Sequence, residues 1–252
     1  MRQLLNLAFF AALATSSVAQ TLAHWRFEEN GDSQANSASF ALEMSPTTQY
    51  SESVPGATIL SEGQSLPNKH SYAGGASELG SILPVSEVLE NALSLGSFTI
   101  EGFLKLNDGA AKEEHMRIIG NASHLGNPGG WSVAVSKGNL VFSALQTLAM
   151  TETSSAAVLA SEPAMTENQW HHFAVVGYRG PESLVVRLFI DGQEVEVEQR
   201  SNFYAKEQNG PAIWPNSDPV LISSKNIFRG EIDELRISEV ALDPTEFLTA
   251  SP

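Results

Sequence analysis

The fold class this sequence predicts is all-β: a two-sheet antiparallel β-sandwich of the jelly-roll type, with one or two short helices. Three observations carry that reading. Apolar and polar residues alternate with a period of two over most segments, turn chemistry separates the segments, and helical periodicity is scarce. Alternation gives each strand one apolar and one polar face, which suits antiparallel sheets stacked in pairs.

Taken in order, residues 24–29 (HWRFEE) place Trp25 and Phe27 on one face. Residues 84–93 are consistent with a short helix. Residues 97–106 (SFTIEGFLKL) put Phe98, Ile100 and Leu104 on one side, with Glu101 and Lys105 on the polar side. Residues 131–144 form two alternating runs around Lys137-Gly138-Asn139, a hairpin signal. The Thr-, Ser- and Ala-rich residues 144–168 read as a rim loop or as an edge strand with loops. Residues 169–178 (QWHHFAVVGY) are a further strand. In residues 183–198, Leu184, Val186, Leu188 and Ile190 line one face, and Asp191-Gly192 supplies a turn with positive φ. Val195 and Val197 then alternate with Glu194, Glu196 and Glu198 in the expected return arm. Residues 220–223 and 231–238 (EIDELRIS) complete the strands, and Asp243-Pro244-Thr245-Glu246 has the form of a capping box with Pro at its first helical position.

The N-terminus has the order of a secretory leader. Arg2 is followed by an apolar run of 11 residues, 4–14 (LLNLAFFAALA), and then by the small residues Ser17 and Ala19. The run is too short to span a bilayer. Residues 1–19 are therefore expected to be a cleaved signal peptide, with secreted, periplasmic or cell-surface residence, and residues 20–252 one domain. No linker, repeat or low-complexity tract divides that domain, and no later run suggests insertion in a membrane. The chain has no cysteine, which excludes thiol catalysis and cysteine-ligated zinc. Its formal net charge of −15 without a basic stripe argues against nucleic acid as a partner.

The segments HWRFEE, SFTIEGFLKL, GWSVAVSKGNLVF, NQWHHFAVV, LVVRLFIDGQEV and FRGEIDELRISEVAL, in that order, resemble the laminin G-like, concanavalin A-like jelly-roll domains of bacterial exported proteins. The resemblance runs from about Leu22 to Leu248. It implies two antiparallel sheets, adjacent first and last strands, and a recognition or adhesion role more often than an enzymatic one. Fold alone does not decide between these, since lectins and glycosidases share the architecture.

Several residue sets have side chains that could carry chemistry. Laminarinase-like glycosidases carry a Glu-x-Asp-x-Glu pattern; here Glu231 and Asp233 fit, but the third position is Leu235 and Glu234 is expected on the opposite face. Retaining hydrolysis needs two carboxyls about 5–5.5 Å apart on one face. If the first and last strands pair with Trp25 opposite Ile237 and Phe27 opposite Leu235, Glu29 faces Asp233 on the apolar side. Two facing carboxylates need protons, donors or a cation. Ca²⁺ with Glu29, Asp32 and Asp233 as ligands is one solution, and the resemblance also implies calcium near this junction. The other solution is that Asp233 accepts backbone N–H bonds and Glu29 is solvated. Neighbours on a strand face opposite ways, so His171 and His172 cannot chelate one metal and read as structural. Asn121-Ala122-Ser123 is a glycosylation sequon.

A ligand would meet loop aromatics, and the irregular stretch 201–218 carries Phe203, Tyr204 and Trp214. The expected function is a non-catalytic recognition module for a glycan or a protein surface. A glycoside hydrolase or polysaccharide lyase of the same fold is the alternative, and a structural envelope protein the third reading.

Overall fold

Alternation of apolar side chains resolves into stacked sheets in the computed structural model of the chain. It describes residues 21–28, 48–75, 81–83, 87–121, 129–149, 152–160, 165–180, 184–199, 213, 218–222 and 228–252. The first strands are β1 (Thr21–Trp25), β2 (Thr48–Ser51), β3 (Thr58–Ser61), β4 (Gln64–Pro67), β5 (Ser71–Gly75) and β6 (Ser81–Leu83). Helix α1 (Glu87–Leu95) precedes β7 (Phe98–Leu106), β8 (Met116–Gly120), β9 (Trp131–Ser136), β10 (Asn139–Ala149) and β11 (Glu152–Ala160). Next come β12 (Trp170–Arg179), β13 (Leu184–Ile190), β14 (Gln193–Glu194), β15 (Val197–Gln199), β16 (Val220–Ile222), β17 (Gly230–Ser238) and β18 (Thr249–Ser251).

One sheet runs β14-β13-β12-β7-β17-β5-β2, with β1 also paired to β17, and the second runs β15-β11-β10-β9-β8-β16-β6. Their facing sides form the main core, which includes Trp25, Phe98, Ile100, Leu104, Trp131, Phe142, Phe173, Leu188, Leu235 and Ile237. This is the jelly-roll sandwich the alternation predicts, with β1 and β17, the strands of the opening and closing segments HWRFEE and EIDELRIS, as antiparallel neighbours.

Two-residue turns fix the register of the hairpins. Lys137 and Gly138 (φ 52° and 77°) join β9 to β10, and Asp191 and Gly192 (φ 51° and 75°) join β13 to β14. Positive φ at both central positions matches the right-handed twist of the flanking strands. The return arm after Asp191-Gly192 is shorter than expected. Only Gln193 and Glu194 pair with β13, after which the chain crosses to the other sheet and β15 pairs with β11. The crossing lets Val195 and Val197 pack on the main core.

The register of β1 on β17 differs from expectation by two residues: Trp25 stands opposite Leu235, and Ala23 opposite Ile237. The face of Asp233 differs too. Glu234 takes a left-handed conformation (φ 48°), and the ladder with β7 shifts between Asp233 and Arg236. This bulge resets the phase of the strand, so Ile232 joins Leu235 in the main core while Asp233 pairs with Phe103 on the outer side. Gly102 lies across from the bulge, where a Cβ would come within 3.1 Å of the Asp233 carbonyl oxygen.

A third sheet, β18-β3-β4, has no counterpart in the alternation pattern, and neither do β2, β5, β6 and β8 of the two main sheets. It lies on the outer face of the β7/β12/β17 sheet, where Ile59 and Leu248 pack on Phe103. The chain reaches it by folding back after β17. Leu242 and Phe247 pack on Ala174, Val176 and Phe189, and Thr99 ties the path down by donating to the Val240 carbonyl and accepting from the Leu242 N–H. On this path Asp243 caps a single 3-10 turn, Pro244–Glu246, in the predicted capping box.

A cleft over a buried ionic bed

Because the outer face is covered, polar side chains that alternate with the core are buried as well. Arg236 of β17 stands opposite Glu101 of β7, and both are essentially inaccessible. Glu101 Oε1 accepts from Arg236 Nε at 2.9 Å; Oε2 accepts from His172 Nε2 at 2.9 Å and from the Leu248 N–H at 2.9 Å. Burial alone would raise the Glu101 pKa. The His172 hydrogen bond, the Arg236 charge and the Leu248 N–H outweigh it and hold the carboxyl below its ordinary range.

A second buried group lies further along β17. His24 Nε2 approaches Glu234 Oε2 at 2.6 Å but off the hydrogen-bond line, and Arg26 Nε donates to Glu234 Oε1 at 3.0 Å. Asp233 accepts from Asn68 Nδ2 at 2.8 Å and from the Glu234 N–H at 2.9 Å. Burial, and next the Glu234 charge, push the Asp233 pKa well above its ordinary value despite those two donors.

Between β18 and the β13–β14 turn the outer face opens into a cleft of about 360 Å³. Phe103, Trp170 and His172 contribute from the sheet; Asp191 and Gly192 from the turn; Phe247, Leu248, Thr249 and Ala250 from the returning chain. The polar groups here are held in place. His171 Nε2 accepts the Thr166 N–H, so Nδ1 carries the proton it donates to Asp191 Oδ2 at 2.8 Å. Asp191 Oδ1 takes the His172 N–H at 2.9 Å. Burial would raise the Asp191 pKa, but these two donors outweigh it and keep the carboxylate ionised. His172 packs edge-on to Phe103 and tilted against Phe247, with centroids 5.2 and 5.5 Å apart. Trp170 donates through Nε1 to Ser53 Oγ at 3.2 Å, and Lys105 Nζ sits 5.5 Å from its ring centroid.

His171 and His172 have the structural roles expected of them. Glu231 pairs with Lys105 at 2.8 Å, and Asp233 is engaged by Asn68 and the main chain. Glu234 is on the outer side with Asp233, not opposite it, as a consequence of the bulge. Asn121 is buried, donates to Glu90 at 2.8 Å and accepts the Trp131 N–H, so the sequon asparagine is occupied in the fold. Among the described residues no group of three or more His, Asp or Glu side chains is placed to hold a metal ion. Glu29, Asp32, Phe203, Tyr204, Trp214 and residues 1–19 lie outside the described residues. The sequence reading missed Trp170 as a cleft residue; the available signal was an aromatic at the very start of a strand, where the ladder ends and the ring meets open space.

A family model described as the concanavalin A-like lectin/glucanases superfamily matches residues 84–247. No curated protein matches the sequence. Among solved structures, the chain is similar to the binding domain of Paraclostridial Mosquitocidal Protein 1, with a TM-score of 0.59 and 14% identity, covering 90% of this chain and 50% of that one. The binding domain of botulinum neurotoxin DC in complex with rat synaptotagmin II aligns with a TM-score of 0.56 and 13% identity, over 90% and 50% of the two chains. The same domain in complex with SialylT gives 0.55 and 14%, over 90% and 50%. The chain thus spans about half the length of these structures, and at such identities the likeness concerns the fold.

Proposed function

The chain belongs to the concanavalin A-like lectin/glucanases superfamily, and from that premise we propose that it is a non-catalytic recognition module working outside the cytoplasm. The ligand is held in the outer-face cleft between β18 and the β13–β14 turn. One observation carries the reading: the cleft joins an aromatic floor to polar groups already locked by their own neighbours. Trp170 offers aromatic surface beside the nearly buried Phe103 and Phe247, and Asp191 is the single carboxylate among the described lining residues. Two-carboxylate glycoside chemistry needs a second acid, about 5–5.5 Å away for retention or about 6.5–9.5 Å for inversion, and Glu101 is committed beneath the floor to Arg236, His172 and Leu248. Fixed polar groups beside apolar surface suit recognition.

The apolar leader 4–14 supports export, and solved structures of the same fold bind a protein in one case and SialylT in another. An array of polysaccharides and peptides, read for both retention and release of reducing ends, tests the proposal. Retention without release, lost in Trp170→Ala, is the expected result. Release of reducing ends by the intact chain would make it an enzyme and overturn the reading.

A further inference from the structure

We infer that the cleft takes an extended, cation-bearing polypeptide segment, added as a strand to the free edge of β18. This rests on the reading of the cleft as a recognition site and names its ligand class.

The first support is the edge. Strand β18 is the outermost member of its three-stranded sheet and pairs with β3 through Thr249↔Leu60, Ala250↔Ile59 and Ser251↔Thr58. Among the described residues no strand occupies its other side, and Thr249 and Ala250 line the cleft. An edge strand presents unpaired N–H and C=O groups at alternate residues, which is a template for an incoming strand.

The second support is what an added strand would meet. Its side chains alternate between cleft and solvent, and those turned inward reach Phe103, Trp170 and Phe247, with Asp191 on the wall. Asp191 is ionised and pinned by His171 and the His172 N–H, and Asp243 adjoins the lining residue Pro244. A lysine or arginine of the segment meets an aromatic ring and a fixed carboxylate together. The described residues already show this chemistry twice, with Lys105 over Trp170 and paired to Glu231, and Arg187 over Phe189 and paired to Glu194. The net charge of −15 draws a cationic segment from a distance.

A saccharide fits less well. The Trp170 indole N–H is engaged by Ser53, and His172 Nε2 is committed to Glu101. Among the described residues, the side of β18 away from β3 pairs with no strand.

The test is isothermal titration of the full chain, at physiological salt, with four probes. These are a blocked seven-residue peptide alternating arginine and valine, the same peptide N-methylated at alternate amides, its glutamate counterpart, and a neutral β-glucan hexasaccharide. The parent peptide is expected to bind. N-methylation, which keeps the charge but removes strand pairing, is expected to weaken it about tenfold or more. The glutamate peptide is expected not to bind, and Trp170→Ala, checked for folding by circular dichroism, to lose the parent. Equal binding of parent and N-methylated peptides would overturn the inference without touching the protein's fold. Binding of the hexasaccharide alone, abolished in Trp170→Ala, would overturn the ligand class and leave the recognition role standing. Binding that Trp170→Ala does not change would remove the cleft from both.

Discussion

Arg236 and Glu101 face each other across β17 and β7, joined by a 2.9 Å hydrogen bond, with neither side chain reaching solvent. They lie outside the main core, beneath the third sheet, and Glu101 also holds His172 and the Leu248 N–H. The pair therefore fastens the returning C-terminal chain to the sandwich and fixes the floor of the cleft.

Removing one partner leaves a buried charge alone. Arg236→Met should cost about 3–5 kcal/mol in urea-monitored unfolding. Arg236→Met combined with Glu101→Leu should recover part of that loss, because an apolar pair has no charge to desolvate. A double variant no more stable than the single one would mean that the pair does not act as a unit.

Acid should loosen the same layer. The folded pKa of Glu101 lies below its ordinary 4.5, so its contribution is present above that value and is lost as pH falls through the lowered folded pKa. Amide exchange at 242–251 should accelerate in that window before exchange in β9 and β10 does. Uniform acceleration would separate the ionic bed from the attachment of the layer.

Asp233 has the opposite sign. With its folded pKa above the ordinary 3.8, the folded state binds the extra proton, and stability falls as pH rises from there through the raised folded pKa. Asp233→Asn removes that penalty. The new amide can still accept the Glu234 N–H and donate to Asn68 Oδ1, which has no hydrogen-bond partner among the described residues, once Asn68 turns its amide over. The melting temperature at neutral pH should therefore hold or rise, with a flatter pH dependence; a fall of several degrees would show that the charged form is the stabilising one.

Gly102→Ala should destabilise by about 1–3 kcal/mol. The added methyl meets the Asp233 carbonyl oxygen at 3.1 Å and Leu235 Cα at 3.2 Å, backbone atoms held by the bulge. Unchanged stability would mean that the bulge can relax.

Much of the sandwich is written in local signals. Lys137-Gly138 and Asp191-Gly192 mark their turns, Asp243-Pro244-Thr245-Glu246 its cap, and Trp25, Ile100 and Leu235 their apolar faces. The third sheet is not legible in that way. Strands β3 and β4 have four residues each, Pro67 ends the second, and the Glu62-Gly63 turn between them lacks long alternating flanks. Without that sheet, Glu101 and Arg236 read as solvent-facing, because alternation shows which residues share a face and not what covers it. The register of β1 failed for a different reason: a slip of two residues keeps every side chain on its face, so alternation cannot detect it. A one-residue bulge at Glu234 changes the phase of a strand whose composition looks regular, and Asp233 moves to the other side with it.

The chain has no native cysteine, so one can be placed at will. Thr249→Cys at the lip of the cleft, coupled to a bulky maleimide, blocks the space beside β18, while Lys137→Cys carries the same label on an exposed hairpin turn. Retention on the polysaccharide and peptide array should be lost when position 249 is labelled and kept when position 137 is. Undiminished retention by the labelled Thr249→Cys chain would contradict a recognition role for the cleft.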